Sequence, residues 1–178
     1  MKFGDLTFED AGAAMDLLAA PVADAVRNLD DIYVSEIDPE VSDTAAFCER
    51  YGVGMDVSAN CVVIEAKRAD RVWYAACIIL ATTRADINGV VRKHINARKV
   101  SFAPMEKAVA MTGMEYGAIT PIGLPADWPI LIDSRVASSE KVIIGSGERR
   151  SKLLVPGKLL EALPNASVMA ITIENKVS

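Results

Sequence analysis

Two apolar runs in the middle of the chain have the length and composition of buried β-strands. They read CVVIEA at Cys61–Ala66 and VWYAACIILA at Val72–Ala81, and the polar segment Lys67–Arg71 separates them. Strand-forming residues on both sides of a short polar segment predict a β-hairpin. Further strands are predicted at Ile32–Ile37, Lys99–Phe102, Ile130–Ile132, Val142–Gly145, Leu153–Val155 and Ser167–Ile173.

Helical spacing and capping residues predict helices between these strands. Thr7 and the acids after it indicate an N-cap, and Pro21 should divide the following segment into two short helices. Later helices are predicted at Thr44–Tyr51 between Asp43 and Gly52, at Asp86–Ile95, at Pro104–Met111 before Gly113, and from Pro156 to Leu163. This irregular alternation favours an α/β fold, with a mixed, largely antiparallel curved sheet and packed helices. We expect a helical extension at residues 1–40 and one domain at residues 41–178.

Composition and charge narrow the function classes. With 178 residues and 51% hydrophobic residues, the chain can bury a sizeable core. The net charge of −5 argues against broad nucleic-acid binding, so we expect no DNA partner. No apolar N-terminal signal is visible, and the longest apolar run is too short to span a bilayer, so we expect no membrane partner and a cytoplasmic location. The three cysteines lack metal-ligand spacing and imply no disulfide framework.

Common catalytic motifs are mostly missing from the sequence. The one histidine, His94, lies among cations on a predicted helix, where a solvated surface role competes with a catalytic one. Neither GxGxxG nor a Walker A loop occurs, and Gly145-Ser146-Gly147 is too short to count as a phosphate loop. With so few histidines and no paired cysteines, we expect neither a metal nor another cofactor.

Two basic groups stand out in this acidic chain. Either could contact RNA phosphates, and either could be a solvated surface. The first lies on and after the predicted helix at Asp86–Ile95, and the second follows the GSG turn. They comprise Arg92, Lys93, His94, Arg98 and Lys99 in the first group, and Arg149, Arg150 and Lys152 in the second.

The segment TGMEYGAITPIGLP at Thr112–Pro125 concentrates glycine and proline between a predicted helix and a predicted strand. Glycine lets the main chain approach a ligand closely, and proline fixes φ and removes a donor. The segment is therefore either a tight connection or a loop that presents backbone groups to a small molecule.

The order of these motifs resembles the YbaK-type aminoacyl-tRNA deacylases, which are free-standing relatives of the editing domain of bacterial prolyl-tRNA synthetase. The resemblance covers about residues 40–173. It rests on a capped helix ending at Gly52, the strand SANCVVIEAKR, TG followed by GAITPIGLP, then ILIDS and VIIGSGERR. It implies hydrolysis of the ester that joins a small, wrong amino acid, such as Ala, Ser or Cys, to a tRNA. The implied partner is the acceptor end of the tRNA, with an aminoacyl-tRNA synthetase as a further candidate.

The resemblance also implies the site residues. Gly117, Asn60 and Ser146 are the implied catalytic positions. The implied substrate-binding positions are Ala118, Ile119, Thr120, Pro121, Gly123, Asp133 and Gly145, and the implied tRNA contacts are Arg92, Lys93, Arg98 and Lys99. A capping role for Asp133 competes with its role in the site. Met105, Met111 and Met114 are either core residues or part of the pocket.

Two positions depart from the family pattern. Asn60 stands where relatives carry a lysine, and Lys67 lies about 20 Å further along the strand. Many relatives carry an aspartate after the GSG turn. The matching place in this chain is near Leu153, so the aspartate is replaced. Three hypotheses follow. The chain is a deacylase, or it is a non-catalytic relative that binds a metabolite, an aminoacyl-tRNA or a protein. The third hypothesis is an assembly protein that self-associates through residues 1–40. The sequence leaves the oligomeric state open.

Overall fold

The computed structural model describes residues 1–174, and most strands of that part of the chain belong to two sheets. The chain first forms short strands and then the long central hairpin. The first eight strands are β1 (Lys2–Phe3), β2 (Leu6–Thr7), β3 (Glu9–Asp10), β4 (Tyr33–Glu36), β5 (Ala59–Arg68), β6 (Arg71–Leu80), β7 (Thr83–Ala85) and β8 (Lys99–Phe102). The rest are β9 (Ile130–Asp133), β10 (Val142–Gly145), β11 (Ser151–Val155), β12 (Ala166–Met169) and β13 (Thr172–Glu174).

The larger sheet has the strand order β12-β9-β6-β5-β8 and is mixed. The predicted hairpin forms its centre, because β5 pairs antiparallel with β6 along its full length. The turn is shorter than predicted: Lys67 and Arg68 stay in β5, and Ala69, at φ +52°, begins a two-residue connection. β8 pairs antiparallel with β5, whereas β9 and β12 run parallel to their neighbours. The expected α/β fold with a mixed sheet is confirmed.

The second sheet has the order β10-β11-β4-β3 and is antiparallel. Its strand β4 comes from the first 40 residues and lies between β11 and β3. The expected helical extension therefore also supplies an interior strand to the sheet. Thr7 is in β2 and caps no helix; a 3-10 turn starts later, where Asp10 Oδ1 accepts a 2.8 Å hydrogen bond from the Gly12 amide.

Helices cover these sheets and connect their strands. They are α1 (Ala20–Val26), α2 (Thr44–Tyr51), α3 (Arg92–His94), α4 (Met105–Thr112), α5 (Ser134–Ala137) and α6 (Gly157–Glu161). The predicted stops are confirmed, since Gly52 and Gly113 end α2 and α4 in left-handed conformations. A π-helical turn, Ile87–Val91, precedes α3. The single strand predicted at Ser167–Ile173 is wrong, because β12 and β13 are separate strands.

The main hydrophobic core lies between the two sheets. It includes Ile78 and Ile132 from the larger sheet, and Ile144 and Leu153 from the smaller one. Side chains alternate along a strand, so Leu154 points to the other face of β11, where it packs with Phe47 of α2. This alternation decides which residues of β11 reach the functional site. In the described residues, none of the helices combines the length and apolar character needed to cross a membrane.

Candidate active site

A cavity of about 640 Å³ lies where the first half of β5 meets the start of α2, the segment Thr112–Pro125 (the Gly/Pro loop) and the end of β10. Many of the lining side chains are small, such as Ala59, Ala103 and Ala108. The other lining residues are Ser42, Asp43, Thr44, Ala45, Met55, Asn60, Cys61, Val62, Val63, Ala81, Phe102, Tyr116, Gly117, Ile119, Gly145, Arg149 and Lys152. The cavity is large enough for a small organic group.

The Gly/Pro loop forms one wall through its main chain. Gly117 has φ +87°, and a Cβ placed on it would meet nothing within 4 Å, so its backbone is open to the cavity. The next residue ties the loop to the GSG turn, because the carbonyl of Ala118 accepts a 2.8 Å hydrogen bond from the Gly147 amide. Gly145 allows this packing: a Cβ there would lie 2.5 Å from the Ala118 oxygen. Glycine at both places lets main-chain groups line the cavity.

Asn60 presents an amide to the opposite side of the cavity. Its side-chain oxygen accepts a 2.6 Å hydrogen bond from the Thr44 hydroxyl at the first residue of α2. Since the oxygen is held in this way, the amide nitrogen is the end left for a ligand. Among the hydrogen bonds of residues 1–174, none uses that nitrogen. Asn60 is therefore a positioned neutral donor.

Lys152 brings a positive charge into the cavity from β11. Its side chain is only 7% exposed, and Nζ donates a 3.0 Å hydrogen bond to the Ser42 carbonyl oxygen. Nζ also lies 5.2 Å from the centre of the Phe47 ring. Burial lowers the pKa of Lys152 from 10.5 to about 8, although attraction to Cys48 and Asp43 opposes the shift. At pH 7 the group is thus still largely an ammonium ion.

Two exposed aromatic side chains and one arginine also line the cavity. Phe102 at the end of β8 is 67% exposed, and Tyr116 in the loop is 55% exposed. Arg149 is held beside them, because its amide donates to Glu115 Oε1 and its guanidinium donates to the Pro39 carbonyl oxygen. This side of the cavity therefore offers aromatic rings and a cation.

Comparisons with known proteins identify the family of this chain. The family model described as the aminoacyl-tRNA editing domain matches residues 38–163. The chain belongs to the aminoacyl-tRNA editing domain family. The predicted resemblance is thereby confirmed at the level of the family. A comparison with curated proteins gave no match.

Solved structures show the same fold at low identity. One, described as a "putative trans-editing enzyme for prolyl tRNA synthetase", has a TM-score of 0.74 and 18% identity, covering 87% of this chain and 96% of that one. Another, described as hypothetical protein APE2540, has a TM-score of 0.70 and 19% identity, covering 79% of this chain and 90% of that one. At such identities the likeness establishes the fold of this editing-domain member and no more.

Of the predicted site residues, Asn60, Gly117, Ile119 and Gly145 meet at the cavity. Ser146 does not line it: its one hydroxyl proton is shared between the carbonyls of Glu148 and Ser151, and its oxygen accepts from Ser151 Oγ at 2.7 Å. Asp133 caps α5 and accepts from the Ile171 amide at 3.0 Å. Both side chains are fully buried and hold the backbone of this editing domain in place.

The remaining predicted site residues of the Gly/Pro loop do not line the cavity. Ala118, Thr120 and Pro121 are buried behind the cavity wall, and Thr120 Oγ1 has no hydrogen-bond partner in the described residues. Gly123, at φ +89°, packs against α1, since a Cβ there would lie 2.6 Å from the Pro21 carbonyl oxygen. The loop therefore has two sides, one toward the cavity and one toward the core. Met114 is also a core residue.

The first basic group does not reach the cavity. Arg92, Lys93 and His94 form α3, which follows the buried Val91 on the other face of the larger sheet. Lys99 pairs with Lys67, at the end of β5 away from the cavity. His94 instead lines a second cavity of about 550 Å³, beside Trp73 and Tyr74. The structure thus separates the predicted tRNA contacts from the predicted pocket.

Sequence reasoning missed most residues of the cavity, among them Thr44, Phe102, Tyr116 and, as a pocket residue, Lys152. Lys152 was visible only as one of three neighbouring cations. Leu153 lies near the place where many relatives carry an aspartate, and its side chain points into the main core. Its neighbour Lys152 faces the cavity instead. Side chains alternate along β11, so Lys152 and Leu153 point to opposite faces. The sequence shows the lysine, but only the register of β11 shows that it faces the cavity.

Proposed function

We propose that this protein hydrolyses the aminoacyl ester of mischarged tRNA, with a small amino acid such as Ala, Ser or Cys as the group released. The observation that carries the proposal is the cavity itself. Its walls combine open backbone at Gly117 with the positioned amide of Asn60, in a domain of the aminoacyl-tRNA editing family. The small side chains around it suit a small aminoacyl group.

The reaction needs a water molecule and donors for the charge that develops. The water oxygen attacks the ester carbonyl carbon, the carbonyl oxygen becomes an oxyanion, and the bond to the ribose oxygen then breaks. One proton of the water passes to the ribose oxygen, so the products are the free amino acid and the uncharged tRNA. Donors aimed at the oxyanion in a water-poor cavity stabilise this transition state. Asn60 and the backbone at Gly117 are the donors we assign on the two walls.

A thiolate nucleophile is not part of the proposal. Cys61 lines the cavity, but burial raises the pKa of its thiol far above the ordinary value. The thiol is therefore neutral at physiological pH and a poor nucleophile. His94 is in α3 and lines the other cavity. Attack by water, oriented by the cavity walls, fits the groups that are present.

The acceptor end of the tRNA would lie along the exposed side of the cavity. Unpaired bases stack on aromatic side chains, and Phe102 and Tyr116 offer two such surfaces. Arg149 supplies a cation for a backbone phosphate. We therefore assign the phosphate contact to Arg149 and give the group at Arg92–Lys99 no contact with the terminal adenosine. A synthetase partner stays a prediction.

The direct test offers the purified protein a panel of tRNAs charged with Ala, Ser, Cys and the cognate amino acids. We expect release of at least one small amino acid above the buffer rate, with the correctly paired charged tRNAs spared. No release from any member would overturn the proposal. Tight binding without hydrolysis would instead support the non-catalytic alternative, which the neutral Asn60 favours.

A further inference from the structure

Lys152 is a buried cation that forms no ion pair in the described part of the chain; the Asp43 carboxylate attracts it, but not from ion-pair distance. Its Nζ contacts the neutral Ser42 carbonyl, and none of the ion pairs of residues 1–174 includes it. Removing an ammonium group from water without a carboxylate beside it is costly. Such a group is typical of a site where the missing negative charge comes from a ligand or a transition state.

The register of the smaller sheet explains how this side chain reaches the cavity. Lys152 pairs directly with Gly145 of β10, and directly paired residues project to the same face of a sheet. Gly145 has no side chain, so the Ala118 backbone packs directly against the sheet beside Lys152. On its other side Lys152 pairs with Ser35, which is also small. The lysine is thus the one long side chain in this row of three residues.

We infer that Lys152 is a catalytic residue of the hydrolysis proposed above, and that its ammonium group donates to the ester carbonyl oxygen and stabilises the oxyanion. An ammonium has three N–H donors, and one is directed to Ser42. The others are available to a substrate in the same cavity. Asn60 across the cavity is neutral, so Lys152 supplies the charge that the amide lacks.

The assignment fits an electrophilic role better than a role as a general base. With a pKa of about 8, the group is mostly protonated at pH 7 and can donate, but few molecules carry the free amine needed to accept a proton. The inference rests on the proposed function, because the oxyanion forms only if an ester is hydrolysed. To that function it adds that Lys152 is the side chain that provides the positive charge.

The test compares three variants in single-turnover hydrolysis of the tRNA that the wild type cleaves. Lys152→Met keeps most of the side-chain volume and removes the charge, Lys152→Arg keeps the charge, and Lys67→Met removes a distant exposed lysine as the control. We expect Lys152→Met to lose about 100-fold in rate, the loss typical of an oxyanion donor. Lys152→Arg should recover part of that loss, and Lys67→Met should match the wild type.

Two further measurements exclude a merely structural role. Lys152→Met should unfold at a higher temperature than the wild type, because it no longer buries a charge. It should also bind a non-hydrolysable amide analogue of the aminoacyl adenosine with nearly unchanged affinity. Loss of rate together with loss of stability would overturn the inference, and so would a Lys152→Met rate equal to that of the wild type. A wild type that cleaves no ester would overturn the proposed function and the inference together.

Discussion

The hydroxyl of Thr44 donates a hydrogen bond of 2.6 Å to the side-chain oxygen of Asn60. This contact joins the first residue of α2 to the second residue of β5, and it leaves the amide nitrogen of Asn60 available as a donor at the cavity. We predict that Asn60→Ala lowers the deacylation rate at least tenfold, since a transition-state donor is lost. Thr44→Val should lower it less, because the amide remains but can rotate. Single-turnover rates of the two variants measure this order.

Ser146→Ala is a stability control for the Asn60→Ala and Thr44→Val variants. Ser146 belongs to the buried hydrogen-bonded turn and does not line the cavity. Its loss should lower the free energy of unfolding by about 1–3 kcal/mol, because buried partners are left unsatisfied. A Thr44→Val rate below that of Asn60→Ala would contradict the assigned direction of the Thr44–Asn60 hydrogen bond.

A lysine at position 60 should help only when Lys152 is absent. In the wild-type background, Asn60→Lys would add a further cation to a cavity that Lys152 and Arg149 already line, so we expect little gain in rate or a loss. In the Lys152→Met background the same substitution should restore part of the lost rate. Hydrolysis rates of the two single variants and the double variant measure the coupling. A large gain from Asn60→Lys alone would show that the wild-type cavity lacks a working cation.

The hydrolysis rate should decrease as the pH rises through about 8. Burial holds the pKa of Lys152 near that value, and the ammonium donor disappears above it. The charged or titratable groups that face it are Asp43 before α2, Cys48 in α2 and Arg149 in the turn between β10 and β11. Lys152→Arg should remove the decrease, since arginine stays protonated. The rates are compared after the spontaneous hydrolysis at each pH is subtracted.

The same residue gives the stability a defined pH dependence. The folded pKa of Lys152 is about 8 and the ordinary value is 10.5, so between these values the unfolded chain binds more protons and stability rises with pH. Below pH 8 the cost of the buried charge is fully present. Lys152→Met should therefore stabilise the protein by about 2 kcal/mol at pH 7. Removing the buried charge contributes about 3 kcal/mol, and leaving the Ser42 carbonyl unpaired costs about 1 kcal/mol. The gain should disappear above pH 10.5, as denaturant unfolding at several pH values would show.

Two glycines of the same loop should respond differently to alanine. Gly117→Ala adds a methyl group beside the open cavity at φ +87°, so we expect a loss of about 1–2 kcal/mol in stability and a strong loss of activity. Gly123→Ala would place Cβ 2.6 Å from the Pro21 carbonyl oxygen, a backbone atom that cannot move freely. Gly123→Ala should therefore lose more stability than Gly117→Ala, because the clash would displace α1 from the core. Denaturant unfolding and single-turnover rates distinguish the two.

Cys61→Ser should keep the wild-type deacylation rate. The thiol lines the cavity but is neutral, because burial raises its pKa. The serine variant removes the thiol and so tests covalent catalysis by Cys61. A rate loss as large as that of Asn60→Ala would contradict attack by water.

Local signals in the sequence determined many of the elements. The hairpin of β5 and β6 followed from two apolar runs around polar residues, and the ends of α2 and α4 followed from Gly52 and Gly113. The order of the motifs also indicated the family and four residues that line the cavity: Asn60, Gly117, Ile119 and Gly145. These features depend on short stretches of chain, where composition and φ preferences act directly.

Only the tertiary structure decided which charge enters the cavity. Lys152 and Leu153 are neighbours in sequence, yet one lines the cavity and the other lies in the main core, because the pairing of β11 with β10 and β4 fixes the face of each residue. The same long-range pairing placed residues 33–36 in the smaller sheet, and the packing of Val91 on the far face of the larger sheet keeps the group at Arg92–Lys99 away from the cavity. Which strands pair, and in which register, depends on burial of the whole chain and cannot be read from a local pattern.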